Sequence, residues 1–229
     1  MKVITNERLV KRNARIGQVA TVGGLLILVG GMVISFRNPN FASLSWLALL
    51  LGFALSQVGL YFGNRWGRHP RPDELLDQGL KGLSEQYSIY HYVTPAAHLL
   101  VGPSGLWVIM PFYQGGKIVY EKNRYKQKGG GFMQRYLRIF GQEGLGRPEL
   151  EASAEVANVD KFIKKNIPDG EVKEPSVALV FVNEKAELEV DNAPVLTIPL
   201  KELKNIVRKT AKEKPLSPEV IKQINALFV

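Results

Sequence analysis

The chain has 229 residues, which is enough for one domain of ordinary size and an additional segment, and its formal charge is +9. It contains no cysteine, which excludes disulfides, thiolate metal sites and cysteine nucleophiles. The charge is uneven, because residues 1–71 carry nine Lys and Arg against one acid and residues 72–229 carry 21 against 20. The C-terminal part is therefore nearly neutral, which weakens a general electrostatic case for nucleic-acid binding.

Two uncharged runs follow the basic segment 1–15, at residues 16–36 and 41–62. At about 1.5 Å per residue, each is long enough for a helix that crosses a hydrocarbon core of about 30 Å. The polar residues 37–40 separate the runs, and the linker 67–72 follows. The pattern predicts a transmembrane helical hairpin over residues 16–66, in which glycines give small faces for packing within the hairpin or with a partner.

Two other interpretations of these runs exist, a cleaved secretory signal and a buried hairpin of a soluble protein. The first run is longer than a usual signal core and a second span follows after only four residues, so retention in the membrane is favoured. Five Lys and Arg precede the first span, three follow the second, and only Arg37 lies between them. This bias predicts an integral protein of the inner membrane with both termini and the soluble domain in the cytoplasm.

The remaining residues, 73–229, are predicted to form a cytoplasmic α/β domain. Asp73 is a candidate N-cap for a helix over residues 74–86, and strands are expected at residues 87–93, 99–101, 106–110 and 117–120. The run 106–110 is apolar throughout, which indicates a strand buried on both faces. A long helix over 149–166, a buried strand over 176–182, shorter strands and two C-terminal helices, the last capped at Ser217, complete the order.

The stretch 96–118 carries a family resemblance. Its His98, the run Leu100-Val101-Gly102-Pro103, Gly105, Val108-Ile109 and Gly116-Lys117-Ile118 match the pattern of the nuclease-related domain, or NERD, family. The resemblance covers roughly Asp73–Arg208. It implies a restriction-endonuclease-like fold of the PD-(D/E)xK type, with a mixed sheet flanked by helices.

The same resemblance implies that catalytic groups are missing. Where the family has an Asp, a Glu and a Lys, this chain has Ala97, Met110 and Phe112. These side chains offer neither the hard oxygen ligands that Mg²⁺ needs nor a cation to stabilise developing charge. Pro111, between two of these positions, predicts a bulge or a strand end.

No catalytic residue, metal site or cofactor is therefore predicted. The alternative is an active nuclease with displaced ligands, for which Asp77, Glu121 and Lys122 are the nearest candidates. Asp77 is otherwise expected to be a solvated residue. His91 and His98 lack a recognisable third ligand and are expected to be structural.

A basic segment follows at residues 121–147 and is interleaved with aromatic residues and glycines. Its candidate binding residues are Lys122, Arg124, Lys126, Lys128, Arg135 and Arg138. The segment could contact anionic lipid headgroups or nucleic acid, or it could be a solvated excursion. Predicted attachment to a membrane favours lipid over nucleic acid.

The sequence thus predicts a membrane-anchored, catalytically inactive nuclease-like domain, a pseudoenzyme that acts as a scaffold or binding module. A protein partner and membrane lipid are expected, and no small-molecule substrate is predicted. Two alternatives remain, a metal-dependent membrane-tethered nuclease with displaced ligands and an accessory subunit of a larger membrane complex.

Overall fold

The structure is a computed structural model that describes residues 1–129, 144–168, 172–213 and 215–228. The chain forms two compact units: a helical hairpin, Glu7–Arg71, and an α/β unit made of Met1–Asn6 and Pro72–Val229. The hairpin contains two helices that are long and apolar enough to cross a membrane.

The hairpin consists of α1, Glu7–Arg37, and α2, Ala42–Phe62, joined through a short 3₁₀ turn and followed by a π-helical turn, Gly63–Gly67. Helix α1 begins nine residues before the predicted span, so the basic residues after Glu7 lie on its first turns. The acid at the N-terminus of α1 and Arg37 in its last turn both complement the helix dipole.

Small residues hold α1 and α2 close together. A Cβ added to Gly31 of α1 would lie 2.6 Å from the Cβ of Ala48, and one added to Gly59 of α2 would lie 2.3 Å from Oγ1 of Thr21. Real side-chain atoms do not approach this closely, so both positions require glycine. Of the two uses predicted for the small faces, packing within the hairpin is the one observed at these positions.

The α/β unit contains nine strands within the described residues, arranged in two mixed sheets. The strands are β1 Lys2–Thr5, β2 Ser88–His91, β3 His98–Gly102, β4 Gly105–Phe112, β5 Gly116–Glu121, β6 Arg124–Lys128, β7 Ser176–Phe181, β8 Ala186–Glu189 and β9 Leu196–Pro199. The order of the six-stranded sheet is β1-β2-β3-β4-β7-β9, and that of the three-stranded sheet is β6-β5-β8.

Helices cover both faces of the larger sheet. They are α3 Pro72–Leu80, α4 Pro148–Asn166, α5 Leu200–Glu213 and α6 Pro218–Ala226. One core joins the sheet to α4, α6 and the smaller sheet, and the other joins it to α3 and α5. Along β4, Val108 and Met110 belong to the first core, whereas Trp107 and Ile109 belong to the second. The predicted strand buried on both faces is confirmed.

Strand β1 is not predicted from the sequence, because the basic composition of residues 1–15 favours a segment outside the soluble domain. Lys2–Thr5 pairs in parallel with Ser88–His91, so the first residues of the chain complete an edge of the larger sheet. The strand is only four residues long, and the whole hairpin separates it in sequence from its partner. Local periodicity carries no information about such a pairing.

Helix α3 also differs from its prediction, since it begins at Pro72 and ends at Leu80 instead of running to residue 86. Pro72 occupies the first helical position, where its missing N–H costs no hydrogen bond. Gly82 adopts a left-handed conformation, with φ at 90°, just after the last turn. Glycine takes that conformation without steric cost, and it turns the chain away from the helix axis.

Candidate functional site

The three positions at which the family resemblance expects catalytic groups lie together at one end of β3 and β4. Met110 and Phe112 are on β4, and their side chains lie on the same sheet face as that of Val108. Ala97 directly precedes β3. Leu99 of β3 lies opposite Val108 of β4. Continuing this antiparallel register by two residues sets Ala97 opposite Met110.

Packed apolar side chains fill these positions. Met110 is 8% exposed and belongs to the core beneath α4, and the ring of Phe112 stacks on that of Phe181 with 5.5 Å between the centroids. Ala97 is half-buried. None of the three offers an oxygen ligand or a cation, so these positions cannot hold a divalent ion or stabilise a phosphodiester transition state.

Strand β4 continues through Pro111 without a bulge and ends one residue later, at Phe112, so the predicted bulge is wrong and the predicted strand end is displaced by one residue. The parallel register with β7 runs unbroken to Phe112 opposite Phe181, and the carbonyl of Phe112 accepts a hydrogen bond of 2.9 Å from the N–H of Val182. Successive residues of a strand direct their backbone hydrogen bonds to opposite neighbouring strands. Because Phe112 bonds to the β7 side, the nitrogen of Pro111 points to the β3 side. Strand β3 begins at His98, opposite Ile109, so it has no residue opposite Pro111. The missing N–H therefore costs no ladder bond.

A chain of polar side chains connects α3 with β2 and β3. His91 and His98 lie opposite each other in the sheet, with 2.8 Å between their Nδ1 atoms, and Oδ1 of Asp77 lies 3.2 Å from Nε2 of His91. Both histidines are buried. The expectation that Asp77 is a solvated residue is therefore only partly met, since its side chain is 31% exposed but its carboxylate contacts a buried imidazole.

These contacts restrict where the protons lie. The carboxylate of Asp77 accepts a hydrogen bond from the Nε2–H of His91, so the Nδ1 of a neutral His91 is an acceptor and His98 donates from its own Nδ1. The cluster thus links α3, β2 and β3 through buried imidazoles.

Within the described residues, no group of three His, Asp or Glu side chains is arranged to hold a metal ion. Asp77 faces His91, whereas Glu121 lies at the end of β5 in the smaller sheet and forms an ion pair with Lys128. The candidate displaced ligands thus have separate partners. Lys122 lies in the turn after β5.

The strands β5 and β6 form a hairpin that carries much of the predicted basic segment. Lys122 and Asn123 join the strands with φ at 51° and 57°, which is typical of a two-residue type I′ turn. Four of the six predicted basic residues lie on this hairpin: Lys122, Arg124, Lys126 and Lys128. The other two, Arg135 and Arg138, lie outside the described residues.

The exposed face of this hairpin has mixed charge. Alternation along β6 exposes Arg124, Lys126 and Lys128 and buries Tyr125 between them. Cross-strand pairing sets Glu121 opposite Arg124. The hydrogen bond from Lys128 lowers the pKa of the Glu121 carboxyl, and nearby lysine charges lower this pKa further.

A second pair of opposite charges lies on the same face, where Nζ of Lys117 is 2.6 Å from Oε1 of Glu189 on β8. The Glu189 carboxylate raises the pKa of Lys117. This partner of Lys117 is not predicted from the sequence. Its signal was the alternation of Glu187, Leu188 and Glu189, which is typical of a strand with one exposed face.

Comparison of the chain with models of known protein families, with curated proteins and with solved structures finds no match.

Proposed function

We propose that this chain is a membrane-anchored binding module whose nuclease-like α/β unit does not hydrolyse phosphodiesters. The observation that carries this proposal is the packing of Ala97, Met110 and Phe112, the positions where the resemblance expects Asp, Glu and Lys. Apolar side chains occupy the space where metal ligands would otherwise lie, so no cavity for a metal ion is left at these positions. A scaffold role is proposed because the sheet is intact and these three positions carry no catalytic group.

The two long apolar helices support anchoring in a membrane. The excess of Lys and Arg before the first span and after the second favours a cytoplasmic position for both termini and the α/β unit. The proposed binding module thus works at the inner face of the membrane.

The exposed face of the β5–β6 hairpin supports a protein as the partner. Glu121 and Glu189 lie among its cations, and two of its lysines already have carboxylate partners. A phosphate backbone would be repelled by these acids, whereas a protein surface can present complementary charges of both signs. Protein is therefore favoured over nucleic acid.

The activity test uses the full chain, purified in mild detergent, because β1 belongs to the α/β unit and a fragment from residue 73 onward would lack it. We expect no cleavage of DNA or RNA with Mg²⁺ or Mn²⁺. The variants D77N and E121Q separate a displaced-ligand nuclease from a contaminant. Metal-dependent cleavage by the wild type that either variant abolishes would overturn the proposal.

The absence of cysteine allows a clean test of orientation. Single cysteines at Asn38, in the turn between the spans, and at Asn205, on α5, are both placed at exposed positions. In intact cells, a membrane-impermeant thiol reagent is expected to label N38C alone, and both variants after lysis. Labelling of N205C in intact cells would contradict the cytoplasmic assignment.

Partner binding is tested by photo-crosslinking from position 126, with position 205 as the matched exposed control. We expect a protein adduct from position 126 only, in native membranes. An adduct that nuclease treatment removes would favour nucleic acid. Co-purification of a stoichiometric complex that survives disruption of the β5–β6 face would favour the accessory-subunit alternative, with the hairpin as the functional part.

A further inference from the structure

A groove runs along one side of the helical hairpin, between α1 and α2. Its apolar walls come from both helices: Ile16, Val19, Ala20, Gly23, Leu55 and Val58. Its volume is about 800 Å³, which lies within the range of about 300–1,000 Å³ common for ligand sites. Gly23 has no side chain to occupy the groove, and a Cβ added there would extend into open space, with no heavy atom within 4 Å.

One end of the groove is cationic. Lys11, Arg12 and Arg15 line it together with the apolar residues, and all three side chains are exposed. Among the residues that the structure describes, no carboxylate lines the groove, and Glu7 is the only acid in the sequence of residues 1–71. The groove therefore combines an apolar channel with an un-neutralised positive end.

The dimensions of this groove match one leaflet of a bilayer. From Arg15 to Gly23, helix α1 rises about 12 Å at about 1.5 Å per residue, compared with about 15 Å for half of a hydrocarbon core. When the apolar walls lie in the hydrocarbon, the three cations lie at the level of the headgroups. Phosphate oxygens at this level are acceptors for guanidinium and ammonium donors.

We propose that this groove binds one anionic glycerophospholipid of the membrane. The phosphate and headgroup lie at Lys11, Arg12 and Arg15, and one acyl chain lies along Ile16 and Gly23. This inference rests on the proposed membrane anchoring and adds a specific ligand to it. It places the lipid on the hairpin of α1 and α2 and not on the basic β5–β6 hairpin of the α/β unit.

Both halves of the groove point to this occupant. A zwitterionic lipid such as phosphatidylcholine would bring a phosphate, but its quaternary ammonium offsets that charge, so the three cations would gain no net counter-charge. An apolar helix of another protein would use the apolar walls and leave the cations without any counter-charge. Only an anionic amphiphile of the bilayer satisfies the channel and its positive end together.

The first test measures lipid retention by native mass spectrometry of the full chain, with phosphatidylglycerol and phosphatidylcholine of identical acyl chains as probes. We expect preferential retention of phosphatidylglycerol. The variant K11Q/R12Q/R15Q should lose this preference by about tenfold or more, since each cation near an anionic headgroup contributes to binding.

The matched control is K122Q/R124Q/K126Q, which removes the same charge from the β5–β6 hairpin. It should retain phosphatidylglycerol like the wild type. Loss of the preference in this control, with retention in K11Q/R12Q/R15Q, would overturn the proposal and assign lipid contact to the α/β unit.

A second pair of variants tests the channel. Gly23 and Gly30 both face open space on α1, but only Gly23 lines the groove. G23L should fill the channel and reduce retention of both lipids, whereas G30L should leave retention unchanged. Equal retention by G23L and G30L would overturn the acyl-chain assignment.

The anchoring itself is checked by washing membranes with alkaline carbonate. A wild-type chain that stays in the membrane but retains both lipids equally refutes the lipid site alone. A chain that carbonate extracts refutes the anchoring and, with it, the site. A lipid-free dimer with the groove buried between two copies would also overturn the proposal.

Discussion

Replacing Met110 with glutamate would introduce a carboxylate at a position where the resemblance to the NERD pattern implies one, and we expect it to destabilise the α/β unit. Met110 is 8% exposed and lies in the core beneath α4. Within the described residues, no group of three acidic or histidine ligands is available to share a metal with the new carboxylate. A buried carboxylate without a partner favours its protonated form, so its pKa rises.

The magnitude follows from that pKa. A rise of two to three units above the usual value of about 4.3 corresponds to a loss of roughly 3–4 kcal/mol at neutral pH. The whole free energy of unfolding of a domain is typically about 5–15 kcal/mol. M110E is therefore expected to lose a large fraction of its stability.

The pH dependence identifies the cause. Because the folded-state pKa of the introduced carboxyl is raised, the unfolded state ionises first, and stability falls as pH rises from about 4 through the folded-state pKa. M110E should therefore be closer to the wild type at pH 5 than at pH 8. M110Q, which is polar but does not ionise, should show no such difference between the two pH values.

The assay is urea unfolding of the full chain in lipid nanodiscs. The unfolded fraction of the α/β unit is measured at each urea concentration by its susceptibility to a brief protease treatment. M110L, which nearly conserves volume, controls for lost packing and should cost less than about 1.5 kcal/mol. Equal stability of M110E and M110L at pH 8 would refute the packing argument. Metal-dependent cleavage gained by M110E would refute the closed-site interpretation as well.

Two further substitutions test other parts of the structure. G59A should weaken the helical hairpin by about 1–3 kcal/mol through overpacking against Thr21, as measured by unfolding in mixed micelles, whereas G30A faces open space and should be neutral or stabilising. H98A should cost the α/β unit about 1–3 kcal/mol in the urea assay, because it leaves Nδ1 of His91 buried without the imidazole that it contacts.

Each of these has a contrary outcome. Equal stabilities of G59A and G30A would mean that the close approach of α1 and α2 is not maintained in the micelle. A neutral effect of H98A would mean that water or another side chain replaces the imidazole.

The sequence by itself determined the long apolar helices and most strands. In lipid, a single uncharged run of spanning length can satisfy its backbone hydrogen-bonding groups only as a helix. Length and composition therefore suffice to predict these two helices. The run 106–110 similarly identified a strand buried on both faces, because period and residue type are local properties. Ser217 was recognised as a helix cap for the same reason, and its side chain accepts from the N–H of Val220.

Only the tertiary structure decided which local features meet. It paired β1 with β2, which are separated in sequence by the whole helical hairpin. It also brought Asp77 into contact with His91 and placed acids among the cations of the β5–β6 face. It also separated the neighbours Gly23 and Gly24, so that one faces a groove and the other faces α2. Register, helix rotation and pairing over long sequence separations depend on the packing of the whole chain, and no local pattern of residues specifies them.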